Sequence, residues 1–108
     1  MIRIAQPLAY ECRDALDAYF SKHPNPALQA ACLPALDELL KRDVKLTGAL
    51  AGWMGGLVYA VANDAKFPCG VDGVLNADFS AAWGVTMNTI RRRAAEIKRA
   101  FGWMPGFQ

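Results

Sequence analysis

Residues 76–101 read Asn76-Ala-Asp-Phe-Ser-Ala-Ala-Trp-Gly-Val-Thr-Met-Asn-Thr-Ile-Arg-Arg-Arg-Ala-Ala-Glu-Ile-Lys-Arg-Ala-Phe101. The pattern predicts a short helix over Ala77–Trp83 with Asn76 as its N-cap. A tight turn at Gly84 and a longer helix from Thr86 to about Phe101 follow, with Thr86 as the N-cap of that helix. Gly84 stands where a residue without Cβ takes positive φ at little cost. Phe79, Trp83, Val85 and Ile90 fall where a helix-turn-helix places its packing residues, and Ile90 is expected to pack under Phe79 and Trp83. Ser80 stands where that motif usually has Ala, and Arg93 stands near a position that is often aliphatic. The second helix carries Arg91, Arg92, Arg93, Lys98 and Arg99 against one acid, Glu96, a net charge of +4.

The whole chain of 108 residues is only +2, and 54% of it is hydrophobic. That composition predicts one folded domain over residues 1–108 with a modest core, and it excludes a disordered chain. Residues 1–54 hold six basic and six acidic side chains, and residues 55–108 hold six and four. Any basic surface is therefore local, on the helix carrying Arg91 to Arg99.

Upstream, the apolar residues Leu8, Cys12, Ala15, Leu16, Tyr19 and Phe20 form the stripe of an amphipathic helix. Pro7 suits its first turn, and Ser21 to Pro26 ends it. A second helix is expected over about Ala27–Arg42 with the stripe Leu28, Cys32, Leu36, Leu39 and Leu40. Pro34 lies inside it and predicts a kink or a restart. A third helix, Gly48 to about Asp64 with Thr47 as N-cap, carries no charge before Asp64 and is apolar nearly all round. It is expected to be the central, most buried helix. Its small residues Ala51, Gly52, Gly55 and Gly56 predict close approach of neighbouring backbones. It falls short of the roughly 20 residues a membrane span needs.

Cys12, Cys32 and Cys69 are odd in number, no CxxC occurs, and His23 is the only histidine. Zinc and other metals are not expected, and buried thiols of a reducing cytosol are. No signal peptide is visible, which also points to the cytoplasm. No cofactor motif, paired carboxylates or nucleophile–base constellation is found, so no enzyme is expected. Cys69 and His23 read as loop residues, and Trp53, Trp83 and Trp103 read mainly as core.

The segment Trp53–Ile97 resembles a family of small uncharacterised prokaryotic helical domains, through Trp53, Tyr59, Ala60, Val85, Thr89, Ile90 and Ile97. Those domains resemble the cyclin-like repeat of the transcription factor IIB type. The resemblance implies an all-α bundle of about five helices, the third central and the last two helix-turn-helix-like. The basic glycine-containing stretch that the family carries before the central helix is Lys45-Leu46-Thr47-Gly48 here. The family has no established activity to transfer.

Two functions remain open. In the first, the chain is a non-enzymatic DNA-binding module. Thr86, Met87, Asn88, Arg91 and Arg92 are then exposed at the start of the last helix, where a recognition helix enters a major groove. Lys98 and Arg99 hold phosphates further along, and Arg93 lies toward the flank or a neighbouring acid. In the second, the chain is a protein-interaction adaptor, or a phage or mobile-element inhibitor of a nucleic-acid-handling complex. An acidic protein surface is then the partner of the basic helix. The apolar tail, with Trp103, Met104 and Phe107, is expected either to fold back or to dock on a partner.

Overall fold

The computed structural model describes residues 5–42, 44–63, 71 and 74–102. It is an all-α bundle of five helices: α1 (Ala5–Lys22), α2 (Pro26–Lys41), α3 (Leu50–Ala62), α4 (Asn76–Trp83) and α5 (Met87–Phe101). Among the described residues the only β feature is an isolated bridge between Val71 and Val74. None of these helices is long and apolar enough to cross a membrane.

The apolar stripes place each helix. Cys12, Leu16, Tyr19 and Phe20 turn inward from α1, and Cys32, Leu36 and Leu39 turn inward from α2. α3 is buried from Gly52 to Ala60 without interruption. A helix lacking a polar face cannot sit at the surface, so it becomes the axis of the bundle. α5 lies along it, with Ile90, Ala94 and Ile97 buried against the same core that contains Phe79 and Trp83.

The α3–α5 contact is made possible by glycine. A Cβ on Gly56 would stand 2.7 Å from the Arg93 Cβ and 3.0 Å from the Ala94 backbone nitrogen. One on Gly52 would stand 3.0 Å from the Thr89 methyl, and one on Gly55 3.0 Å from the Trp83 ring. The two helix backbones thus approach more closely than any residue with a side chain allows.

Several helix starts differ from the sequence expectation. α2 runs unbroken through Pro34 rather than restarting there. Its N-cap is Asn25, whose side-chain oxygen accepts from the Leu28 backbone N–H at 3.2 Å. Thr47 does not cap α3. Gly48 takes φ +82°, which delays the helix to Leu50, with Ala49 at the cap position. The Thr47 carbonyl instead accepts two tertiary hydrogen bonds, from Trp53 Nε1 at 2.7 Å and from the Arg93 guanidinium at 2.9 Å. Asn76 is the first residue of α4, and Leu75 occupies its cap without a side-chain bond. Thr86 does cap α5, its hydroxyl accepting from the Thr89 N–H at 3.2 Å. His23 is half-buried and stacks on Tyr19 at 4.8 Å, not a freely solvated loop residue.

Candidate functional site: the outer face of α5

The turn between α4 and α5 sets where the basic helix begins. Gly84 adopts φ 71°, ψ 24°. Its N–H bonds to the Ala81 carbonyl at 3.2 Å, and the Val85 N–H bonds to the Ser80 carbonyl at 3.3 Å. These two bonds form a Schellman motif, which ends α4 and reverses the chain. The Ser80 hydroxyl donates to the Val85 carbonyl, across the same turn. That bond gives a physical reason for serine where the motif usually has alanine.

α5 is strongly two-sided. Residues advance by about 100° each, and Ile90, Ala94 and Ile97 mark its buried side. On the opposite side Asn88, Arg92, Ala95 and Arg99 are all exposed. Arg91 is exposed beside that strip, and Lys98 is half-buried on the same flank. Among the described residues none of Arg91, Arg92, Lys98 and Arg99 forms an ion pair, since the three pairs formed are Arg13–Asp37, Arg42–Glu38 and Arg93–Glu96. Thr86 is exposed but engaged as a cap. Met87 is half-buried and packs against the core, so the exposed position expected for it is not the one it occupies. Trp103, Met104 and Phe107 lie outside the described residues, as does Cys69.

Arg93 leaves the basic surface. Its side chain is only 14% exposed and pairs with Glu96 at 3.3 Å. Its guanidinium lies 4.5 Å from the Trp53 ring centroid and donates to the Thr47 carbonyl. One arginine therefore ties α5 to α3 and to the connector before it, and it neutralises the single acid of the basic helix. The sequence hinted at this only through Glu96, three residues on. The partners Thr47 and Trp53 are some forty residues away in the chain.

At the other end of α5, Arg42 donates to the Ala100 carbonyl at 2.8 Å, bonds Glu38 at 2.8 Å and lies 5.5 Å from the Phe101 ring. The helix is thus clamped at Arg93 and at its C-terminus, while its outer face carries cations without counter-charges among the described residues.

Burial raises the Cys12 thiol to about 11, with a smaller push from Glu11, and raises the Cys32 thiol to about 12. Both stay protonated and unreactive at neutral pH. No group of three His, Cys, Asp or Glu suited to a metal occurs among the described residues. Sequence reading also missed a polar defect in the core. Tyr19 Oη, Trp83 Nε1 and Arg93 Nε are buried without a hydrogen-bond partner among the described residues. The chain matches no protein-family model, no curated protein and no solved structure.

Proposed function

We propose that the chain is a DNA-binding module in which α4 and α5 act as a helix-turn-helix and α5 enters the major groove. The observation that carries this reading is the exposed strip of α5. Asn88, Arg91, Arg92 and Arg99 face solvent, and none of those arginines is paired to a described acid. Cations left without counter-charges on a rigid helix are what phosphate contact requires, and Asn88 near the N-terminus can pair bidentately with adenine. Burial of Trp53 and Trp83 removes two candidate stacking platforms for single strands, which favours a duplex. The buried position of α3 and the order of five helices are compatible with the cyclin-like resemblance, which is part of the proposal.

The test is an anisotropy titration with mixed-sequence duplex DNA across a salt series. Removing one phosphate-binding cation reduces the salt slope by about 1. The variant Arg91→Ala with Arg92→Ala is therefore expected to bind more weakly, with a slope shallower by about 2. Asn88→Ala is expected to change sequence preference at nearly the same slope. Absence of binding by the folded parent at low salt would discard the reading. The same face would then be tested as the docking site for an acidic protein surface, the role expected of an adaptor or an inhibitor of a nucleic-acid-handling complex.

A further inference from the structure

A groove of about 480 Å³ lies where the end of α5 meets α2 and α3. Its apolar lining is Ala31, Pro34 and Ala35 of α2, Val61 of α3 and Phe101 of α5. Ala31 and Ala35 stand one helical turn apart, so α2 presents methyl groups there and fills little of the space. Ala31 and Pro34 are exposed. Glu38 and Arg42 line the groove as well, but their charges are matched to each other through a bond of 2.8 Å. Arg42 also donates to the Ala100 carbonyl at 2.8 Å. An uncharged apolar occupant suits this lining better than an ion.

We propose that this groove is the docking site of the chain's own segment Trp103-Met104-Pro105-Gly106-Phe107, which lies outside the described residues. Continuity is the first reason. Phe101 lines the groove, and the next residue, Gly102, takes φ +75° with its N–H bonded to the Arg99 carbonyl at 3.2 Å. A left-handed residue there ends α5 and turns the chain off the helix axis beside the groove. Length is the second. Arg42 marks the near end of the groove, through its bond to Ala100, and Ala31 marks the far end. These two positions are about 17 Å apart along α2, and the chain from Gly102 to Phe107 reaches up to about 20 Å when extended. Chemistry is the third. The segment carries no charge and has three large apolar side chains. Pro105 biases Met104 toward extended backbone, and alternate residues of an extended segment share a side. Trp103 and Phe107 then face the groove together, Trp103 near Arg42 and Phe107 toward Ala31 and Pro34, while Met104 faces solvent. The proposal is independent of whether α5 meets DNA.

The test uses the full chain with isotope-labelled methyl groups, read by nuclear Overhauser effects. Contacts are expected from the Ala35 and Val61 methyls to the ring protons of Trp103 and Phe107. Filtered spectra of an equal mixture of labelled and unlabelled chain should show none of these contacts, because they arise within one molecule. Trp103→Ser and Phe107→Ser are each expected to lower the melting temperature by about 4–8 °C, and Met104→Ser should leave it unchanged. Ala31→Glu places a charge under Phe107 at an exposed position, and should remove the Phe107 contacts while the helical circular dichroism spectrum stays the same. A folded parent chain without these contacts would overturn the proposal. So would contacts between labelled and unlabelled chains, which would make a second copy the occupant, or a Met104→Ser variant that loses as much stability as Phe107→Ser.

Discussion

Arg93 shows how one residue is assigned by its surroundings rather than its type. It sits in a run of three arginines, yet only its neighbours face solvent. The planar guanidinium lies over Trp53 and bonds the Thr47 carbonyl at once, a pairing that lysine's compact ammonium cannot reproduce. Arg93→Lys is therefore expected to lower stability by about 1–2 kcal/mol while leaving the salt slope of any DNA binding unchanged. Arg92→Lys should leave the melting temperature where it is, because that side chain is exposed and forms no ion pair among the described residues. Denaturant melts of the two variants side by side check this contrast.

Among the helices, the α3–α5 contact and the α4–α5 turn each depend on a glycine, for different reasons. The Cβ that Gly56→Ala adds meets the Arg93 Cβ at 2.7 Å and backbone at 3.0 Å. α5 must shift as a whole, at a cost of about 1–3 kcal/mol. A Cβ on Gly84 meets nothing within 4 Å among the described residues, but the residue holds φ +71°. Gly84→Ala therefore costs about 1 kcal/mol from backbone strain alone. Mutating Gly84 to Asn, which tolerates the left-handed region better, should recover part of that cost, whereas Gly56→Asn should be worse than Gly56→Ala. Thermal melts of the four variants distinguish a crowded glycine from a conformational one.

Across the molecule as a whole, the buried thiols tie the core to pH. The folded state holds Cys12 and Cys32 protonated to about 11 and about 12, against an ordinary value of 9.0. Above pH 9 the unfolded chain loses protons that the folded chain keeps, so stability falls as pH rises from about 9 toward 12. Below pH 9 both states are protonated at these groups and the contribution is flat. Replacing both residues by Ala should flatten the alkaline limb of the stability profile, measured by urea melts between pH 8 and about 11. In a Cys69→Ser background, a thiol reagent should label neither buried cysteine until the protein unfolds.

The helices and their inward faces follow from the order of residues alone. Period-3.6 stripes are a local property, so Cys12, Leu16, Leu36 and Leu39 were legible as core, and the helix-turn-helix pattern added Ile90. The uninterrupted apolarity of residues 48–62 was enough to make α3 the central helix, and Gly84 and Thr86 announced the last turn and cap. The all-α fold of five helices followed from these patterns. Packing, by contrast, settled where side chains meet across long chain separations. Thr47 reads locally as a cap. Only the approach of Trp53 and Arg93, with Gly48 at positive φ, turns its carbonyl into a tertiary acceptor. Met87 reads as exposed from its place in a recognition helix, but its angle about α5 sends it toward the core. The groove of Ala31, Pro34 and Ala35 beside Val61 and Phe101 has no signature in any of its helices taken singly. It exists because three helices far apart in the chain meet around small side chains, and such complementarity is a property of the packed molecule.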